Sequence, residues 1–431
     1  MSQGPSFSAA AAAPGLPEPL ARDLGGLKLA ARVLRSSPSS ARNAVLAGLE
    51  RRLGERETEI LAANAQDLAA FPADGTLAFR DRLTLNAKRL AGMRESLRQV
   101  AELADPLGEV VEERRLANGL LTRRVRSSLG VIFMIFESRP NVAIEAFSLA
   151  LKSGNALILR GGKESARTVG VFYALMREAL AEAGLPGESL VGITDPDRSI
   201  VHALLQAKSH IDVVVPRGGD KLIEFVVENS RIPIIKNDRG LCHVYLHEDA
   251  DLEMARSIVR NAKVSRPGVC NSMETLLVHE RIASGFLPVI RDALPEVKFH
   301  VCDRAYALLS GKPGVDRAKD KNFDTEYLDL EMSVKVVDSL GDAIAHVERH
   351  GSRHSEAIVT RDEKSARVFQ TEVDAAAVYW NASTRFTDGF ELGLGGELGI
   401  STQKLHVRGP VGLRELTSVR WIMDGQGHIR E

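Results

Sequence analysis

The chain has 431 residues, 44% hydrophobic and 26% charged, values near the globular average that exclude collagenous, disordered and membrane-spanning classes. At roughly 100–200 residues per domain this length predicts two or three domains. Lys plus Arg is 56 against 57 for Asp plus Glu, a net charge of -1, so there is no basic excess to neutralise a phosphate backbone and nucleic acid is not an expected partner. Three cysteines, Cys242, Cys270 and Cys302, are too few and too widely spaced for a disulfide framework or a Cys-x-x-Cys metal clip, which points to a reducing compartment. The apolar run at 129–136 is far short of the ~20 residues that span a bilayer, so no membrane association is expected. The alanines at 9–13 suggest a signal peptide, yet the first basic residue is Arg22 and prolines interrupt the apolar stretch. The opening is read as a disordered tail, 1–17, on a cytoplasmic protein.

From about 18 to 104 the pattern predicts helices: Leu27, Ala30, Ala31 and Leu34 recur at helical spacing, and Leu46, Leu49 and Leu53 do the same beyond a break at Pro38-Ser39-Ser40. Residues 109–126 centre on Asn118-Gly119, a strong hairpin signal, with arginines and glutamates on both arms that suit an exposed projection. Strand-like runs then follow at 131–136, 156–159, 190–193, 211–215 and 232–235, separated by helical runs at 141–152, 164–183, 197–207 and 220–228. Such alternation predicts a buried parallel sheet. A second alternating block runs from about 243 to 380, with a helix at 252–262 and a strand at 275–278. Beyond Asn381 the glycines at 389, 393, 395, 396 and 399 predict a mobile loop, and 418–423 closes as a strand. No internal repeat is visible.

Neither the G-x-G-x-x-G fingerprint nor the G-x-x-x-x-G-K-[ST] phosphate loop occurs. Two other loops offer phosphate a place, because each follows a strand and opens a helix: Arg160-Gly161-Gly162-Lys163-Glu164 and Pro216-Arg217-Gly218-Gly219-Asp220. A tight strand-to-helix turn that only needs glycine explains either one equally well. Cys270 lies in a polar loop, Ser265-Arg266-Pro267-Gly268-Val269-Cys270-Asn271-Ser272, and nearby Lys263 and Arg266 favour a reactive thiolate over an inert core cysteine. Cys242 and Cys302 border apolar strands and read as structural. His346, His350 and His354 are spaced by four, but Gly351 ends the helix and no carboxylate or cysteine completes a zinc set, so no metal is expected. Arg385 and Arg408 lie in loops where a forked cation suits a carboxylate or phosphate, although surface charge is the simpler reading.

Taken together, Ser-Arg-Pro-Asn at 138–141, Leu-Lys-Ser-Gly-Asn at 151–155, Arg-Gly-Gly-Lys-Glu at 160–164 and Arg-Pro-Gly-Val-Cys-Asn at 266–271 resemble the gamma-glutamyl phosphate reductase family. That family, also called glutamate-5-semialdehyde dehydrogenase, is a branch of the aldehyde dehydrogenase superfamily. The stretch 337–358, with Ala343, His346, His350-Gly351-Ser352 and His354-Ser355-Glu356, resembles the hallmark of the branch, as do Glu397-Leu-Gly-Ile-Ser-Thr and Arg408-Gly-Pro-Val-Gly-Leu. The similarity spans about 20 to 425.

The resemblance implies an aldehyde-dehydrogenase-like α/β fold with a Rossmann-type cofactor domain, an α/β catalytic domain and a β-hairpin oligomerisation arm. The implied boundaries are 18–108 and 127–242 for the NADPH-binding domain, 243–404 for the catalytic domain, and 109–126 with 405–431 for the arm. The implied activity is NADPH-dependent reduction of L-glutamyl 5-phosphate to L-glutamate 5-semialdehyde and phosphate, through a cysteine thioester, in proline biosynthesis. A different non-hydrolytic, acylating aldehyde dehydrogenase is the alternative. Cys270 matches the nucleophile, and Arg139 and Asn141 are both candidates for the side chain that joins the Cys270 N–H in holding the oxyanion. Arg160 and Lys163 match the adenosine-ribose position and suit a 2′-phosphate, Gly218 and Gly219 the second cofactor loop, and Glu326 the nicotinamide-ribose contact. Arg385, His354 and Ser355 are the substrate-binding expectations. The stretch that carries the water-activating glutamate of hydrolytic relatives is Asn237-Asp238-Arg239-Gly240 here, with no glutamate, which favours reduction. A homo-oligomer and contact with glutamate 5-kinase complete the implied partners.

Overall fold

The structure is a computed structural model that describes residues 16–72, 77–137, 139–236 and 239–430. All but the last two residues of the expected disordered tail, Ser138 of the 138–141 motif, and Asn237 and Asp238 of the glutamate-lacking stretch lie outside the described residues. The strands are β1 (Val110–Arg115), β2 (Leu121–Ser128), β3 (Val131–Phe136), β4 (Ala156–Arg160), β5 (Leu190–Ile193), β6 (Val213–Arg217), β7 (Cys242–Leu246), β8 (Met273–His279), β9 (Lys298–Val301), β10 (Val315–Arg317), β11 (Glu331–Val337), β12 (Ser355–Val359), β13 (Ala377–Trp380), β14 (Ile400–Ser401), β15 (Gly409–Pro410) and β16 (Thr417–Asp424). They fall into two compact units, one of residues 1–236, 393–399 and 411–431, the other of 237–392 and 400–410.

The first unit is built on a parallel sheet in the order β5-β4-β3-β6. Every residue of β3, Val-Ile-Phe-Met-Ile-Phe, is buried, as a parallel strand covered on both faces requires. Helices Asn141–Lys152, Ala166–Glu182, Arg198–Gln206 and Asp220–Asn229 connect the strands. The N-terminal helices Ser39–Glu55 and Glu57–Ala69 pack on Ala166–Glu182, so the first hundred residues complete this unit. The Leu-Lys-Ser-Gly-Asn motif is a buried polar knot. Lys152 Nζ donates to Asn43 Oδ1 at 2.7 Å and to the Ala101 carbonyl at 2.9 Å, and Asn155 accepts the Gly130 N–H at 2.8 Å while donating to the Leu416 carbonyl at 2.9 Å. Each partner satisfies a polar group that would cost about 1–3 kcal/mol if buried alone.

The hairpin forms as expected, with Gly119 in the left-handed region at φ 87°. β16 pairs antiparallel with β2 from Leu121↔Asp424 to Ser128↔Thr417, making a three-stranded sheet in the order β1-β2-β16. The run at 232–235 does not become a strand. Pro233 has no N–H to give a ladder, and the segment contributes one isolated bridge, Val214↔Ile234.

The second unit holds a seven-stranded parallel sheet in the order β10-β9-β11-β8-β7-β12-β13. Helices Leu252–Val264, Glu280–Ala293 and Asp303–Leu309 bury one face, and Leu340–His350 and Glu363–Glu372 bury the other. Because β7, β8 and β12 are adjacent and parallel, the residues that precede them gather at one sheet edge. That edge carries 239–241, 265–272 and 352–354. Residues 381–399 form short turns, and β14 pairs with β15 beyond them. Among the described residues no helix is long and apolar enough to cross a membrane.

Candidate active site

Helix Leu252–Val264 stops at Ser265, whose hydroxyl folds back onto the Asn261 carbonyl at 2.7 Å, and Pro267 blocks any continuation. The chain then turns tightly, the Ser272 N–H donating to the Val269 carbonyl at 3.0 Å, and the turn leaves Cys270 half-buried just before β8. Cys242 is buried, and Cys302 Sγ accepts the Val336 N–H at 3.3 Å. Lys263 does not lend its charge to the Cys270 loop as the sequence suggests. It is buried against Glu274 at 2.8 Å, across the base of the loop, where burial pushes the Glu274 carboxyl up to about 7 against the pull of Lys263.

A different cation, Arg385, interacts electrostatically with the cysteine. Arg385 has its ionisation lowered first by burial and then by Arg266, while Asp388 and Cys270 act in the opposite sense. Its loop is tied to the cysteine loop by four bonds: Arg385 Nε donates to Ser265 Oγ at 3.3 Å, Asn271 Nδ2 donates to the carbonyls of Thr387 at 2.9 Å and Arg385 at 3.3 Å, and Thr384 Oγ1 donates to the Asn271 carbonyl at 2.7 Å. A guanidinium held at the cysteine loop favours an anion there. Arg408 is turned to Asp374 at 2.7 Å, an ion pair away from this loop's bonds.

Gly240, Leu241, Cys242 and His243 form the remaining wall, and none of them stands out in the sequence as functional. A Cβ at Gly240 would collide with the Cys270 carbonyl, so only glycine fits. The Gly240 N–H donates to Glu326 Oε1 at 2.8 Å, which occupies one oxygen of the residue expected at a nicotinamide ribose. The Leu241 N–H donates to Ser352 Oγ at 2.8 Å, Cys242 Sγ lies 3.2 Å from the Cys270 carbonyl, and the His243 N–H donates to Glu356 Oε2 at 2.7 Å. His354 and Ser355, expected to touch substrate, are both fully buried. Direct contact gives way to an internal network: His354 Nδ1 is 2.8 Å from Ser355 Oγ, which is 2.6 Å from Thr387 Oγ1, itself 2.8 Å from the Tyr379 hydroxyl. His346 and His350 share a helix face with ring centroids 4.4 Å apart, and among the described residues no group of three His, Cys, Asp or Glu is placed to hold a metal.

In the first unit the remaining candidates follow the carboxyl ends of three adjacent strands. Arg139 and Asn141 follow β3, Arg160 and Lys163 follow β4, and Gly218 and Gly219 follow β6. The strand order reverses between β3 and β6, the place where open α/β sheets take their ligands. Arg160 Nη2 donates to the Pro196 carbonyl at 3.0 Å while its Nε is buried with no partner, and burial lowers its ionisation. Lys163 is exposed. The Gly219 N–H is not open: it donates to Glu137 Oε2 at 3.0 Å. Asn141 Nδ2 donates to Glu145 Oε1 at 2.8 Å along its own helix.

Two parallel-sheet α/β units, one with a ligand edge at a strand-order switch and one with a cysteine loop, together with an antiparallel arm, define an aldehyde-dehydrogenase-like protein. The profile of the aldehyde dehydrogenase family matches residues 28–305. The chain is 49% identical over 405 residues to the gamma-glutamyl phosphate reductase of Moorella thermoacetica, covering 93% of this chain and 96% of that one, and 50% identical over 406 residues to that of Carboxydothermus hydrogenoformans, covering 94% and 97%. The crystal structure of gamma-glutamyl phosphate reductase from Thermotoga maritima superposes with a TM-score of 0.92 at 42% identity, covering 96% of this chain and all of that one. The chain belongs to the aldehyde dehydrogenase family, in its gamma-glutamyl phosphate reductase branch. Enzymes of this family act on aldehydes with a nicotinamide cofactor.

Proposed function

We propose that the chain reduces L-glutamyl 5-phosphate to L-glutamate 5-semialdehyde and phosphate with NADPH, a step of proline biosynthesis. The observation that carries this reading is Arg385, whose Nε donates to Ser265 Oγ at 3.3 Å and whose loop is bonded to Asn271, so that a guanidinium stands at the cysteine loop, an arrangement suited to a leaving phosphate. The names of relatives that match nearly the whole chain support it.

In this reading the Cys270 thiolate attacks the acyl carbon, the bond to phosphate breaks, and phosphate leaves with the electron pair, producing a thioester. When bound, NADPH supplies the hydride that reduces the thioester. The resulting thiohemiacetal oxyanion takes a hydrogen bond from the Cys270 N–H and from Arg139 or Asn141, then expels the thiolate and releases the aldehyde. Arg385 holds an anionic group of the substrate through its planar fork. His354 and Ser355, being buried, take no part in that contact.

The switch-point edge of the first unit fits the cofactor. Arg160 Nε is a buried donor without a partner, and Lys163 stands exposed three residues on, a pair suited to a 2′-phosphate and so to NADPH over NADH. Gly218 and Gly219 would face the pyrophosphate and Glu326 the nicotinamide ribose.

The test is the reverse reaction, NADPH formation from glutamate semialdehyde and NADP. The proposal requires that the rate depend on added phosphate. Formation supported by coenzyme A in place of phosphate, or by water alone, overturns it.

A further inference from the structure

The hallmark stretch of this branch is not used by the chemistry above, although it holds the β7 segment that lies against the cysteine loop. It turns into β12 through Arg353, at φ 63°, and on both sides of that turn its side chains meet three successive residues at the start of β7: Ser352 Oγ takes the Leu241 N–H at 2.8 Å, His354 Nδ1 lies 3.7 Å from Cys242 Sγ, and Glu356 Oε2 takes the His243 N–H at 2.7 Å and sits 2.9 Å from His243 Nδ1. Ser355 Oγ lies 2.8 Å from His354 Nδ1 and 2.6 Å from Thr387 Oγ1, in the loop that carries Arg385. A Cβ at Gly351 would meet the Val347 carbonyl at 2.5 Å and Glu356 Oε1 at 3.0 Å, so glycine suits this turn.

The β7 segment so held is the surface on which Cys270 rests. Gly240 packs against the Cys270 carbonyl with no room for a side chain, and the Cys242 thiol donates to that same carbonyl at 3.2 Å. Burial pushes the Cys242 thiol well up, so it stays protonated and remains a donor at neutral pH. A cysteine that must swing into an acyl carbon has its reach set by its own backbone, and here that backbone is held through a neighbouring strand.

We infer that Ser352 and Glu356 are positioning residues for Cys270, acting through the Gly240–His243 segment, with the Cys242 thiol as the last link. None of them touches the reacting atoms. The inference rests on Cys270 being the nucleophile and extends that reading to the residues that aim it.

The test uses the full-length enzyme and four variants: Cys242→Ala, Cys242→Ser, Ser352→Ala and Glu356→Gln. Each is measured for kcat and KM in the phosphate-dependent reverse reaction, for NADPH binding by fluorescence, and for the pH profile of Cys270 alkylation by iodoacetamide, read by peptide mass spectrometry. Cys242→Ala and Ser352→Ala are expected to lower kcat about tenfold, the scale of one lost hydrogen bond. KM and NADPH affinity should stay within about twofold, and the alkylation midpoint should move. Cys242→Ser, which keeps a donor, should restore both kcat and the midpoint. Glu356→Gln tests the same link where a buried charge is lost; should it fail to fold, Ser352→Ala and the Cys242 pair carry the test. Folded Cys242→Ala and Ser352→Ala enzymes with wild-type kcat and alkylation profile overturn the inference, as does Cys242→Ser behaving like Cys242→Ala. Failure of the nucleophile reading looks different: Cys270 in the wild type would resist alkylation, or its alkylation would leave activity intact.

Discussion

The cysteine loop and the two glycine loops are held in opposite ways. Around Cys270 the loop is tied by side-chain bonds: Asn271 donates to the Thr387 carbonyl, Thr384 donates to the Asn271 carbonyl, and Ser352 and Glu356 hold the β7 segment against which Cys270 packs. The loops after β4 and β6 are covered instead by neighbouring carboxylates: a Cβ at Gly162 would strike the Glu164 carboxylate, and Glu137 takes the Gly219 N–H. A covalent nucleophile needs its position fixed to within about 0.5 Å. A loop that takes up and releases an anionic cofactor needs donors that are satisfied when empty yet can change partners, and a flexible carboxylate provides that. In the proposed function, rigidity sits where a bond forms, and exchangeability where a ligand comes and goes.

The most severe way to break this contrast is at Cys270, the proposed nucleophile. Cys270→Ser is expected to lower turnover by at least ~10³, more than packing damage explains, while NADPH binding measured by fluorescence stays near wild type. Cys302→Ser should remain active, since its sulfur only accepts one backbone N–H. Gly240→Ala comes next. Pushing a methyl into the Cys270 carbonyl costs about 1–3 kcal/mol by the usual scale of overpacking, so kcat should fall roughly 10- to 100-fold with cofactor affinity retained. A variant that loses NADPH binding to the same degree would place the damage in the fold and not at the loop.

Arg385→Lys keeps the charge and loses the fork, so KM for phosphate or glutamate semialdehyde should rise about tenfold with NADPH affinity unchanged. In the other unit, Arg160→Ala or Lys163→Ala should weaken NADPH about tenfold and NADH less than threefold, as titrations with both cofactors would reveal. Equal losses would assign these residues to folding. The smallest effect is expected at Glu137→Gln. Taking a negative charge from the start of helix Asp220–Asn229 removes a competitor for anions there, and NADPH should bind two- to threefold more tightly, at a cost of about 0.3–1 kcal/mol in stability. Weaker binding would show that the carboxylate assists the cofactor.

Much of this arrangement is legible in the residues. Alternating apolar runs and helical spacing mark the two α/β blocks, Asn118-Gly119 marks the hairpin, and a cysteine among Arg, Pro and Gly marks its loop, because each of those signals is local. The strand expected at 232–235 fails on a local signal too, the missing N–H of Pro233. What escapes the sequence is contact made by topology. Glu137 and Gly219 are 82 positions apart and meet because β3 and β6 are neighbours; Leu241 and Ser352 are 111 apart and meet because β7 and β12 are. His354 and Ser355 look like ligands for substrate in a polar motif, and only the placement of β12 inside the sheet shows them to be buried.

The pairing of β2 with β16 also bears on how the chain acquires its shape during synthesis. Ser128 faces Thr417, so the arm joins segments ~290 residues apart, and at about 5–20 residues per second β2 waits some 15–60 s for its partner to be made. Most of the second unit, 237–392, emerges during that wait as a continuous stretch whose parallel sheet is made from its own residues. The knot at Asn155 closes last as well, since its Leu416 partner comes just ahead of β16. A released chain ending at residue 410 would therefore contain the residues of the cysteine loop and its supports but lack β16, leaving the unpaired β2 edge exposed to any strand that can dock there.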